Sequence, residues 1–162
     1  MNLEDLKVMI ESIEQDLPHH PFSIIHTFVR DNQRLQLGIT ERLRRQCRRG
    51  RVWKSKEFLT ALKNAQYGFD ETHARSPGGS DGIFLLTPDY RPKNEMMKKL
   101  FDRFLHKPDS GAQEIAKALE CPLNKLIPVR LVSHHMRLLG VLARDKNIDR
   151  LILVDFDNSK ST

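Results

Sequence analysis

Residues 109–157 read DSGAQEIAKALECPLNKLIPVRLVSHHMRLLGVLARDKNIDRLILVDFD, and how this stretch is divided decides the fold. Its firmest constraint is Pro128. With no N–H to donate and a fixed φ, proline is tolerated in a helix only near the first turn, so a helix through this point starts there, after CPLNKLIP. At the far end, the apolar run LILV (151–154) reads as a strand that ends in Asp155 and Asp157.

Upstream, TPDYRP (87–92) carries two prolines within six residues and predicts a boundary between two halves. After it, Met96, Met97, Leu100, Phe101, Phe104 and Leu105 make one strongly apolar helix closed by Lys107 and Pro108. Before it, IFLLT (83–87) and the residues ahead of the flexible SPGGSDG (76–82) read as a hairpin with a glycine-rich tip. At the N-terminus, Leu3, Leu6, Ile10, Ile13 and Leu17 recur at three- and four-residue spacings, one helical stripe that Pro18 ends. Phe22, Ile25, Phe28 and Val29 predict a second helix over 22–33, and Gly38, Ile39 and Thr40 open a third over 39–46. A fourth, over 55–66, is capped by Ser55, carries Phe58, Leu59 and Leu62 on one side and stops at Gly68.

Charge is concentrated rather than spread. The run RLRRQCRRGRVWKSK (42–56) holds eight cations, Arg42, Arg44, Arg45, Arg48, Arg49, Arg51, Lys54 and Lys56, with no acid and the only tryptophan. Taking these eight charges from the chain's net +6 leaves −2, so the basic character belongs to one segment. A polyanion is the partner such a segment fits, nucleic acid first, against the plain reading of a solvated basic helix face.

The 162 residues, 39% of them hydrophobic, suffice for ordinary cores, and no run approaches the roughly 20 apolar residues that span a bilayer. Neither secretion nor membrane insertion is expected. Cys47 and Cys121 fit no metal-ligand spacing and no disulfide framework, which predicts a reducing, intracellular compartment. The arginines beside Cys47 are placed to lower its pKa, but no catalytic His and Asn arrangement accompanies it. The adjacent pairs His19-His20 and His134-His135 lack an i+3 or i+4 partner, and Asp155 and Asp157 read as a solvated strand end before metal-binding carboxylates of a nuclease. No phosphate-cradling, dinucleotide or nucleophile-elbow motif is present. The reading is therefore no enzyme, no cofactor and no metal.

The stretch from Asp109 resembles a winged helix, the helix-turn-helix variant with a two-stranded wing. The helix before the turn corresponds to 113–120, packing through Ile115, Ala116 and Leu119. LLGVL (138–142) resembles the exit from a recognition helix into the first wing strand, RDKNIDR (144–150) the wing tip, and LILVDF (151–156) the returning strand. The turn is about three residues longer than in a compact helix-turn-helix. The resemblance implies a recognition helix over 128–139, with Leu131, His135, Leu138 and Leu139 inward and Arg130, Ser133, His134 and Arg137 toward DNA; Lys125 in the turn and Arg144, Lys146 and Arg150 in the wing add contacts. More faintly, residues 21–90 repeat the order of helices and hairpin.

The expected architecture is thus mainly α with short antiparallel hairpins, an α+β, tandem winged-helix-like chain: an amphipathic helix over 1–20, a diverged module over 21–90, a winged helix over 93–157 and a disordered tail over 158–162. The expected function is a non-enzymatic protein for double-stranded DNA, in transcriptional regulation or DNA maintenance. About six phosphates gripped by the arginine-rich segment give a salt slope near −5. The alternatives are an interaction subunit of a larger assembly, with the N-terminal helix docking on a protein partner or a second copy, and an RNA-binding protein. RLRRQCRRGR also fits a nuclear-import signal.

Overall fold

Leu35, Leu37 and Ile39 alternate with Gln36 and Gly38, the two-residue period of a strand with one face in a core. In the computed structural model, which describes residues 3–15, 21–50, 55–65, 82–85, 111–133 and 136–157, that strand lies within a six-stranded mixed sheet. The elements are α1 (Leu3–Glu14), β1 (Phe22–Arg30), β2 (Gln33–Thr40), α2 (Glu41–Gly50), α3 (Lys56–Asn64), β3 (Gly82–Leu85), α4 (Ala112–Ala118), a 3-10 turn (Leu123–Lys125), β4 (Ile127–Ser133), β5 (Met136–Arg144) and β6 (Ile148–Asp157). The strand order is β1-β2-β6-β5-β4-β3; β2 and β6 run parallel and every other pair is antiparallel. The class is α+β.

Two expected helices are strands. Over 22–33 the chain forms β1 and turns into β2, with Asp31 at φ 53°, the left-handed conformation that a two-residue hairpin turn needs and that Asp tolerates. The apolar spacing there imitates a helix because of a bulge: the register shifts between Ile24 and His26, so Ile25 and Phe28, three residues apart, both enter the same core. The β-branched and aromatic residues of FSIIHTFVR favour the strand. Over 128–139 the chain forms β4 and enters β5, so the recognition helix implied by the winged-helix resemblance is absent. Pro128 is the second residue of β4, outside the 129–132 stretch that pairs with β3, and such strand margins accept proline.

Other expectations hold to within a few residues. The N-terminal helix is α1, the helix capped by Ser55 is α3, with Phe58 N–H donating to Ser55 Oγ at 3.1 Å, and the helix over 113–120 is α4. LLGVL lies in β5 and LILVDF in β6. The third expected helix starts later, since Ile39 and Thr40 still belong to β2. Because β2 pairs with β6 over Arg34–Ile39, the sheet crosses the boundary expected at 87–92. That boundary, the methionine-rich helix over 96–105, the tip 76–81 and the tail 158–162 lie outside the described residues.

Each face of the sheet carries a core. On one face, α1 (Leu6, Met9, Ile13), α2 (Leu43, Cys47) and α3 (Phe58, Ala61, Leu62, Ala65) bury β1, β2, β4, β5 and β6. On the other, Ile115, Ala116 and Leu119 of α4 and Leu126 after the 3-10 turn cover Leu139, Val141, Ala143, Ile152 and Val154. In β6 the alternation of Leu151 and Leu153 with Ile152 and Val154 divides neighbouring side chains between the two cores. Each fully buried leucine or isoleucine contributes about 1.5–3 kcal/mol, so an unbroken apolar run is what a strand covered on both sides requires.

Candidate nucleic-acid interface

Leu43 and Cys47 are one helical turn apart, and burying both fixes the rotation of α2. Thr40 caps the helix, its Oγ1 accepting from Leu43 N–H at 3.2 Å. At about 100° per residue, Arg48, Arg45, Arg49 and Arg42 then follow one another around an outward arc of about 120°, and all four are exposed.

Arg44 does something else. It is only 5% exposed, and its guanidinium clamps two helices together. Nε and Nη2 donate to Glu41 Oε2 at 2.9 Å and Oε1 at 2.6 Å, while Nη1 donates to the Gln15 carbonyl, just past the end of α1, at 3.0 Å. Such a bidentate, charge-assisted contact suits an arginine that has left water. A phosphate-binding role for Arg44 does not fit this burial. Glu41 also accepts from Arg45 Nε at 2.9 Å. These contacts, the Arg44 hydrogen bond foremost, lower the Glu41 pKa from 4.5 to about 2.

Arg42 Nη2 lies 3.4 Å from Asp155 Oδ2, and Asp155 Oδ1 accepts from Phe156 N–H at 2.8 Å. Asp155 therefore ties α2 to the end of β6 instead of being a solvated strand end. Among the described residues no group of three or more His, Cys, Asp or Glu could hold a metal ion. Burial pushes the Cys47 thiol up to about 12, with Asp155 adding in the same direction, the opposite of what its arginine neighbours predict. Burial wins because the arginine heads point outward or into carboxylates.

Among the other expected contacts, Lys56 is exposed at the start of α3 and Lys125 in the 3-10 turn. Arg51, Lys54 and His134 lie outside the described residues. Arg130 and Ser133 are in β4 and Arg137 is in β5, on strands and not on a helix. At the β5–β6 turn, Arg144 and Lys146 are exposed, while Arg150 donates from Nε to Gln36 Oε1 at 3.3 Å. The parallel β2–β6 pairing, continued by Arg34 N–H donating to the Asn147 carbonyl at 2.9 Å, brings the exposed Arg30 and Arg34 alongside this turn. That cluster was invisible in the sequence, where Arg34 and Arg150 are 116 positions apart.

The sequence also hid which acids serve the basic helix. Glu41 was legible as an i, i+3 and i, i+4 partner of Arg44 and Arg45; Asp155 was not, because only the sheet brings it to α2. No helix among the described residues is long and apolar enough to cross a membrane. Comparison of the chain with protein-family models, with curated proteins and with solved structures found no match.

Proposed function

We propose that this chain is a non-enzymatic nucleic-acid-binding protein that holds the phosphate backbone of duplex DNA against the outward arc of α2. The carrying observation is that one ten-residue helix turns Arg42, Arg45, Arg48 and Arg49 to solvent while Leu43, Arg44 and Cys47 hold it to the core. Arginine pairs well with phosphate, and four heads on one rigid surface lose less entropy on binding than four on a loose segment.

The internal contacts refine the reading. With Arg44 buried, and with Arg42 and Arg45 already beside carboxylates, roughly three or four phosphates are neutralised, giving a salt slope of about −3. The contact is sequence-blind, since backbone contacts carry no base information and the helix expected to read bases over 128–139 is β4 and part of β5.

The test is fluorescence anisotropy of a random-sequence duplex across a salt series, repeated with structured RNA as competitor. A slope near −3 and retention of the duplex against equal RNA support the reading. Displacement by RNA assigns the helix to RNA instead, and no binding at low salt removes nucleic acid as the partner.

A further inference from the structure

Three large hydrophobic side chains stand exposed among the described residues: Val8 at 46%, Ile24 at 38% and Val29 at 68%. Isolated apolar residues at a surface are ordinary, but these three fall on two surfaces with matching chemistry. Val8 is on the outward arc of α1, between Glu4 and Glu11 at helical spacings of four and three, with Glu14 and Lys7 beside them, all exposed. That arc has three acids and one base. Ile24 and Val29 are on the sheet face opposite α1: Ile24 pairs with Gly38 and Val29 with Arg34, on the side away from the buried Leu35, Leu37 and Ile39. The same side of the neighbouring strands carries Arg34, Gln36 and Arg150. Among the described residues the α4 core covers this face across β5 and β6 and reaches Phe22 at the start of β1. Further along the β1–β2 half a strip remains open, in which Ile24 and Val29 stand exposed on either side of Thr27 and Gln36, edged by Arg34 and Arg150.

We propose that the occupant of this strip is α1 of a second copy of the chain, with Val8 set between Ile24 and Val29 and with Glu4 and Glu11 meeting Arg34 and Arg150. The arginine arc of α2 is the competing site for an acidic helix, but it offers no apolar residue for Val8. Because α1 and the strip lie on opposite faces of one sheet, the contact is head-to-tail, and copies add in an open chain or ring instead of closing as a two-fold pair. A single helix on half a sheet face buries little area, so the association is weak and concentration-dependent.

The experiment uses nucleic-acid-free full-length protein in light scattering and analytical ultracentrifugation over a concentration series at low salt. The expected result is an average mass that climbs past two copies. Glu4→Lys/Glu11→Lys and Arg34→Glu should each remove the association, and mixing the two variants should restore it, since each then offers the other a complementary charge; a variant that merely failed to fold would restore nothing. A wild-type chain that stays monomeric, a mass that stops at two copies, a mixture that stays dissociated, or loss on Arg45→Glu/Arg49→Glu with none on Arg34→Glu would each overturn the proposal.

Discussion

The helices α1 and α2 pack on the same face of the same sheet and are joined through Arg44, yet they offer solvent opposite chemistry. Inward, they use one device: Leu6, Met9 and Ile13 in α1 and Leu43 and Cys47 in α2 are apolar residues at three- and four-residue spacing, buried in one core. Outward, α1 shows Glu4, Glu11 and Glu14, and α2 shows Arg42, Arg45, Arg48 and Arg49. Burial fixes which way each helix faces, and charge on the remaining arc then chooses the partner. Arg44 is where these roles cross. By composition it belongs to the basic cluster, by burial to the core, and its contacts with Glu41 and Gln15 make it part of the scaffold that aims the other arginines.

The sharpest break in the comparison is therefore at Arg44. Arg44→Met is expected to cost about 1–3 kcal/mol in chemical denaturation, because the Gln15 carbonyl loses a charged donor and Glu41 is left with Arg45 alone at a part-buried contact. Arg44→Lys should recover only part of it, since an ammonium cannot reproduce the bidentate fork. Unchanged stability in both variants would return Arg44 to the surface set. Thr40→Val removes the cap of α2 but not its core residues, and urea titration should register a loss of about 1 kcal/mol.

Acid should act through Glu41. Its folded pKa of about 2 is below the ordinary 4.5, so its contribution to stability is fully present above about pH 4.5 and is lost as pH falls toward 2. The stability difference between wild type and Glu41→Gln, followed by denaturation from pH 6 downward, should shrink over that window; a constant difference would contradict the assignment. The smallest effect is chemical. Cys47, buried and with its thiol pushed up to about 12, should resist alkylation in the folded protein, leaving the half-buried Cys121 to react first.

How much of this was legible in the sequence follows from which signals compete. The stripe of α1 and the cap of α3 were readable because period and punctuation agreed, and the basic arc of α2 was readable as composition. β1 was not, since a bulge gave Ile25 and Phe28 the spacing of a helix; nor was β4, where Pro128 and the leucines around it fit a late-starting helix equally well. Over short apolar runs the periods of helix and strand are hard to separate, and the β-branched residues of β1 were the better guide. At the site, the eight cations read as one group do not act alike: Arg44 is a buried clamp, Arg42, Arg45, Arg48, Arg49 and Lys56 are exposed, with Arg42 and Arg45 beside Asp155 and Glu41, and Arg51 and Lys54 lie outside the described residues. Pairing across a sheet, as between Asp155 and Arg42, leaves no local trace.

The most direct test of the central claim, that the outward arc of α2 is the phosphate-binding surface, is the salt slope of duplex binding for the wild type beside Arg42→Ala/Arg45→Ala/Arg49→Ala. All three positions are exposed, and the variant keeps Arg44 with its contacts to Glu41 and Gln15. It also removes the Arg42–Asp155 and Arg45–Glu41 pairs, so its fold is checked by circular dichroism beside the wild type. The slope should fall in magnitude from about 3 to below about 1, with affinity lost alike on unrelated sequences. An unchanged slope in a variant that folds as the wild type does would contradict it.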